Sequence, residues 1–340
     1  LTFFEWPHAR KGHWGVGGVH HLALGVADRA ALLKWKRRLR DAGVGSSGPI
    51  DRGYFTSLYF NDPDGQVLEL ATLGPGYAVD EPAGALGRTE VPPPVARLSD
   101  DPETRARGER EAAALAASVH PDPVPEVTDD MRLRGIHHVT GITDDVERAD
   151  DFFREALGLS IVKKTFNQDD GSARHWFWGS YDGEEVAEHS ALTLFDWPGS
   201  TLAARPGAGQ THHFAFRAPD EDTQLEWREH LLGMGVDVTD VLDRTYFRSI
   251  YFHAPDGQLM EIATDAPGFT VDEPADRLGE ELKLPERLEP ERERIEAGLD
   301  PLEEPAASNG SDEGTAAPGQ SDGADEVDQP AEAASPEARA

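Results

Sequence analysis

The chain repeats itself at a fixed offset of 192 residues. HHLAL at 20–24 returns as HHFAF at 212–216. DRGYFTSLYFNDPDGQVLELAT at 51–72 returns as DRTYFRSIYFHAPDGQLMEIAT at 243–264, and GYAVDEP at 76–82 as GFTVDEP at 268–274. Trp35 and Trp227, and Gly43 and Gly235, obey the same offset. A repeat of this kind restricts the fold to one assembled from copies of a single supersecondary unit.

The unit can be read from its periodicity. GIHHVT at 135–140 is a strand, and the segment TDDVERADDFFREALG is a helix with Val146, Ala149, Phe152, Phe153, Ala156 and Leu157 on one stripe. Thr143 or Asp144 is the expected cap, and Gly158 suits the C-terminal turn. LSIVKKTF, ARHWFWGS and SALTLFDW then read as strands. Residues 209–264 repeat the order, with PDG turns at 63–65 and 255–257 joining the last two strands. The expected fold is α+β, made of βαβββ modules.

The expected domains are 1–90, an acidic Pro-rich linker at 91–133 with a short helix at REAAALAAS, and a two-module domain at 134–300. Residues 275–300 should be helical in part, and 301–340 should form a disordered acidic tail. LTFFEWP at 1–7 matches LTLFDWP at 192–198, so a module of roughly 58 residues is expected ahead of Leu1. The opening residues have none of the marks of a signal peptide.

The 340 residues carry a formal net charge of −32 and no cysteine. That charge argues against sequence-independent nucleic-acid binding. The missing cysteines exclude disulfides and thiolate chemistry. No apolar run approaches the roughly 18 residues of a membrane span. The expectation is a cytoplasmic protein, and acids spread over folded segments suggest a salt-rich cytoplasm.

The chemistry should lie in His137-His138, His212-His213 and Glu261. Neighbours on a strand point to opposite faces, so one His of each pair can face a barrel interior. Glu261 sits among apolar residues, where a carboxylate is costly unless paired or metal-bound. His213 and Glu261 are 48 residues apart, as are His21 and Glu69. Two histidines and one carboxylate form a facial triad with open positions for substrate and dioxygen.

With these motifs, FREALGLSIVKKTFNQDD and LTLFDWP, the sequence resembles the vicinal oxygen chelate superfamily, in particular its ring-cleaving dioxygenases that open hydroquinones. The resemblance covers most of 134–298, and 1–90 matches the last module again. It implies modules paired into half-barrels around Fe(II), or Mn(II), with a small aromatic substrate and O2. It implies metal ligands His138, His213 and Glu261, with His137, His212, Thr140, Arg244 and Tyr251 around the substrate. Arg244 would hold an anionic substrate oxygen, Tyr251 would donate a hydrogen bond, and His212 would serve as acid or base.

His21, Glu69, Arg52 and Tyr59 look like a second, incomplete set. If modules pair across the halves, His138 joins His21 and Glu69; the set within 134–264 is the favoured one. The competing functions are a glyoxalase-type isomerase, a non-catalytic small-molecule binder and an interaction protein using its acidic tail. The isomerase would need a further acid near 192–194, where Leu192, Thr193 and Leu194 stand. His175 and Trp176 could line the pocket, with a core role the better reading; Lys163-Lys164 could attract an anionic substrate, with a solvated strand end the better reading; His189, His230 and His253 are expected at the surface. An exposed partner face on 1–90 would favour a homo-oligomer.

Overall fold

The computed structural model describes residues 1–6 and 8–299. The expected disordered tail at 301–340 lies outside the described residues. The chain divides into two units, Leu1–Leu282 and one that begins at Lys283.

Two βαβββ modules of the first unit share one sheet. The first contains β1 (Val19–Val26), α1 (Arg29–Asp41), β2 (Ser46–Asp51), β3 (Thr56–Asn61) and β4 (Val67–Thr72). A linking helix, α2 (Pro102–Ala117), follows; it is longer than REAAALAAS suggests because Asp101 caps it by accepting from Thr104 N, with Pro102 in the first turn. The second module contains β5 (Ile136–Thr143), α3 (Val146–Leu157), β6 (Ser160–Phe166), β7 (Arg174–Gly179) and β8 (Ala191–Asp196). The strand order is β2-β3-β4-β1-β5-β8-β7-β6. In each module the first and last strands are parallel, and the modules join where β1 runs antiparallel to β5. The 91–133 segment therefore links two modules of one sheet.

The helix α3 has the stripe its sequence requires. Val146, Ala149, Phe153, Ala156 and Leu157 are buried, and Phe153 meets Trp178 edge-on at 5.1 Å. Asp145, one residue beyond the expected caps, accepts from Arg148 N at 3.0 Å. Gly158 closes the helix at φ 65°, the left-handed conformation that a Cβ disfavours.

The third module contains β9 (Phe214–Ala218), α4 (Glu221–Gly233), β10 (Leu242–Asp243), β11 (Phe247–His253) and β12 (Leu259–Pro267). It forms its own sheet, ordered β10-β11-β12-β9, which leaves β9 at an edge. Its apolar face shares a core with the second module: Ile250, Phe252, Met260 and Ile262 cluster with Phe153 and Trp178. Gly141 on β5 permits this approach, because a Cβ there would lie 2.0 Å from Gln258 Nε2.

The second unit contains a 3-10 segment, Glu286–Glu291, and a short helix, α5 (Arg292–Glu296). Arg292 bonds Glu289 at 2.7 Å and Glu296 at 2.9 Å. Among the described residues, no helix is long and apolar enough to cross a membrane.

Candidate metal centre and active site

The register of the eight-stranded sheet builds the centre. Tyr59 pairs with Glu69, Glu69 with Ala23, and Ala23 with His138. In the adjoining row His21 pairs with Thr140, and Thr140 with Thr193. Directly opposed residues share a face, so His21, Glu69 and His138 meet on one side of the sheet.

Glu69 Oε2 lies 2.9 Å from His21 Nε2 and 3.4 Å from His138 Nε2, and the two imidazole nitrogens are 3.3 Å apart. The three donor atoms lie within 4.8 Å of one another, the one such buried trio among the described residues. Glu69 is fully buried, yet neither carboxylate oxygen receives a hydrogen bond of acceptable geometry from the described residues. The imidazole nitrogens are close to the oxygen without aiming a proton at it. A buried carboxylate in that condition is costly, and a divalent cation facing all three donors would remove the cost. The donor set fits a metal of the Fe(II) or Mn(II) kind.

Each histidine of the trio is held from behind. His137 Nδ1 is 2.8 Å from His138 Nδ1, and His20 Nδ1 is 2.8 Å from His21 Nδ1. One nitrogen of each contact must donate and the other accept. If the ligand histidine donates from Nδ1, its Nε2 lone pair is free for a cation. Burial, then the neighbouring His138, pushes His137 down to about 3; burial, then His21, does the same to His20. Both outer rings are therefore neutral near pH 7. Burial opposes the charge of Glu69, but His138 and His21 outweigh it and hold the carboxyl well below its ordinary range.

A narrow cleft opens onto His21 and His138. Phe55, Phe177, Phe195 and Tyr54 supply aromatic walls, and Arg52 and Tyr59 supply polar groups. Arg52 Nη2 is 3.3 Å from Tyr59 Oη, and Arg52 Nη1 is 3.1 Å from Asp169. Burial opposes the Arg52 charge, while Tyr59, Asp169 and Glu69 outweigh it and raise its pKa.

His175, which the sequence assigns to the core, lines this cleft. Its ring lies 4.3 Å from Phe177 and 4.4 Å from Phe195, and its Nε2 is 2.7 Å from Thr193 Oγ1. Thr193 Oγ1 is 3.0 Å from Thr140 Oγ1, which is 3.0 Å from His21 Nε2. Hydroxyls thus connect His175 to His21 Nε2. Burial, followed by His138 and His21, holds His175 well below its ordinary pKa. Its sequence signal, one His in an aromatic strand, is the same for a core residue.

The favoured ligand set is divided. His138 is in the centre with His21 and Glu69, whereas His213 and Glu261 pair with each other in the third module at 2.7 Å. Local repeats identify ligand-bearing strands but not which strands become neighbours; the antiparallel β1–β5 joint makes that choice. Thr140 lies in the centre's hydroxyl chain. His137 reaches the site through His138 and is not among the cleft's lining residues. His212, Arg244 and Tyr251 accompany His213, with Arg244 Nε 3.3 Å from Tyr251 Oη. Lys163, expected at a strand end, is fully buried, with its ammonium on Asp80 at 2.6 Å and on Glu81.

This fold and donor set place the chain in a defined class. The family model described as "Glyoxalase/Bleomycin resistance protein/Dioxygenase superfamily" matches residues 1–70 and 135–262, and the chain belongs to that superfamily. Its relatives over most of its length carry the names of ring-cleaving dioxygenases. It is 30% identical over 307 residues to "Putative ring-cleaving dioxygenase MhqO" of Bacillus subtilis (strain 168), a match covering 89% of this chain and 79% of that one. It is 33% identical over 166 residues to the "Chlorohydroquinone/hydroquinone 1,2-dioxygenase" of Sphingobium indicum, covering 48% of this chain and 49% of that one. The crystal structure of a "putative dioxygenase" from Bacillus subtilis aligns with a TM-score of 0.65 at 29% identity, over 88% of this chain and 79% of that one.

Proposed function

We propose that this chain is a cytoplasmic Fe(II)-dependent dioxygenase that opens the ring of a hydroquinone or catechol, with His21, Glu69 and His138 as ligands. The observation that carries the reading is the fully buried Glu69 carboxylate, whose Oε2 stands 2.9 Å from His21 Nε2 and 3.4 Å from His138 Nε2. When bound, the metal supplies a Lewis acid and a template that brings a substrate oxygen and O2 together.

The protein groups supply the rest. Phe55, Phe177 and Phe195 form walls for a flat ring, which favours an aromatic substrate in the cleft. Arg52 is a fixed positive charge for a deprotonated ring oxygen, the role that the family resemblance implies for Arg244. Tyr59 hydrogen-bonds Arg52 and pairs with Glu69, so it can donate to an oxygen beside the centre. His175 is neutral and can accept a proton from a ring hydroxyl at its Nδ1, since Nε2 is engaged by Thr193. The β8 strand offers Thr193 to the site where a four-ligand isomerase would need a carboxylate.

Both atoms of O2 enter the ring-opened product, so the balance needs no external reductant. The test is oxygen uptake by anaerobically Fe(II)-loaded protein against a panel of hydroquinones and catechols. One O2 consumed per ring lost, absent in Glu69→Gln, is the expected result. A tightly bound metal without uptake on any member of the panel would overturn the dioxygenase reading.

A further inference from the structure

Lys163 on β6 is fully buried, and its ammonium is held by the first module rather than by its own. It bonds Asp80 at 2.6 Å and Glu81, both in the segment that follows β4. It also stands 5.0 Å from the centre of the Tyr54 ring, whose hydroxyl donates to Asp80 at 3.4 Å. Tyr54 immediately precedes β3, and β3 is six strands away from β6 in the sheet order. At about 4.8 Å per strand a flat sheet would separate them by about 29 Å. The sheet therefore curls until its two ends approach, and Lys163 joins them. Backbone contacts continue the seam: Val91 N donates to Lys164 O at 3.1 Å, and a Cβ on Gly87 would lie 2.7 Å from Ile161 O.

The joint borders the cleft. Lys163 stands opposite Phe177 in the β6–β7 ladder, and Thr165, two residues on, shares its face. Phe177 and Thr165 line the cleft from the second module, and Tyr54 and Phe55 line it from the first. Tyr77, three residues before Asp80, packs against Phe177 at 5.5 Å and Tyr54 at 6.0 Å. The clamp thus ties together the two modules whose side chains enclose the substrate space.

A lysine without solvent contact is costly unless its charge is paired. Replacing a buried ion pair by apolar residues often leaves stability unchanged or raised, so what such a pair supplies is geometry. An ammonium between two carboxylates holds them at one separation, whereas apolar packing can slide. The repeat separates the two contributions. Tyr246 stands 3.2 Å from Asp272 as Tyr54 stands from Asp80, so the Tyr–Asp contact belongs to the module, and Lys163 is added to it by the neighbouring module. Resting on the ring-cleaving reading, we propose that Lys163 is a positioning residue that sets the width of the cleft and so decides which ring substituents it admits.

The experiment measures, by calorimetry without O2, the binding of hydroquinone and of 2-tert-butylhydroquinone to the full chain loaded with Mn(II). The ring stays intact, so affinity is read apart from turnover. The unaltered chain should bind hydroquinone about 10-fold or more tightly than the bulkier ring, a discrimination that a shaped pocket achieves. Lys163→Met retains an unbranched chain and removes the charge. It should weaken hydroquinone binding and reduce the ratio to about 3-fold or less, with Mn(II) affinity kept within about 2-fold because no ligand is touched. Asp80→Asn, a milder change that leaves Glu81 in place, should move the ratio the same way, and it carries the test if circular dichroism shows Lys163→Met unfolded. A ratio near one in the unaltered chain, or an unchanged ratio in the folded variants beside a lowered melting temperature, would overturn the inference. A large loss of Mn(II) affinity would do so too, by placing the effect at the metal centre. An unaltered chain that takes up Mn(II) but binds neither aromatic would instead sink the ring-cleaving reading itself, so the two failures are distinguishable.

Discussion

Ala23 on β1 stands in the ladder between Glu69 on β4 and His138 on β5. The two side chains come from different modules, and the methyl group between them leaves the space a cation would fill. Ala23 is itself fully buried. Ala23→Val should therefore weaken metal binding by about 10-fold or more, in the range of other changes next to ligands. Equilibrium dialysis of variant and unaltered chain checks this. Unchanged affinity would mean that the cation does not sit over Ala23.

Metal occupancy should stabilise the fold by mass action. At a free-metal concentration about 100 times the dissociation constant, the gain is about 2.7 kcal/mol. Thermal melts with added Mn(II) and with chelator should differ accordingly. The metal-dependent increment should disappear in Glu69→Gln, because that change removes the anionic ligand while retaining its shape.

Asp169 holds Arg52 at 3.1 Å from a largely exposed position, so it competes with an anionic substrate oxygen for the same guanidinium. Exposed pairs of this kind contribute about 0.2–1 kcal/mol. Asp169→Asn should lower KM by roughly 1.5- to 5-fold and leave kcat nearly unchanged. Steady-state kinetics at two ionic strengths test it. An increase in KM would show that Asp169 helps to hold the substrate.

Alkaline stability should depend on buried phenols. Burial is the leading cause that raises the pKa of Tyr54 and Tyr77 above the ordinary value near 10. Folding then favours the neutral phenol. The stability from that preference is fully present below about pH 10 and is lost as pH rises beyond it. In a spectrophotometric titration, Tyr54 and Tyr77 should ionise together with unfolding, later than exposed phenols. A single smooth titration with the fold intact would contradict their burial.

Gly141 is the point where the third module closes on the second. A Cβ there would meet Gln258 Nε2 at 2.0 Å and Leu194 Cδ2 at 2.8 Å. Gly141→Ala should destabilise the chain by about 1–3 kcal/mol, the usual cost of overpacking. Urea denaturation measures it, and a neutral result would show that the Gln258 side chain moves aside freely.

Much of this protein is determined locally. The 192-residue repeat fixes the βαβββ unit, because alternating strands and an amphipathic helix can bury their faces in few other ways. Asp145 and Gly158 bound α3 through backbone geometry that needs no distant partner. The His-His pairs and the carboxylates 48 residues later are equally visible, because one strand register places each His beside its own Glu. Tertiary structure alone decided which further histidine stands beside which pair. His138 is followed in sequence by the module of His213, yet β5 joins β1, which places His138 with His21 and Glu69. Nothing local to either strand encodes that choice, since every first strand of a module has the same pattern and the same available edge. His175 illustrates the same limit: only the packing of Phe177 and Phe195 around it, and the hydroxyl chain to His21, distinguish a residue of the cleft from one of the core.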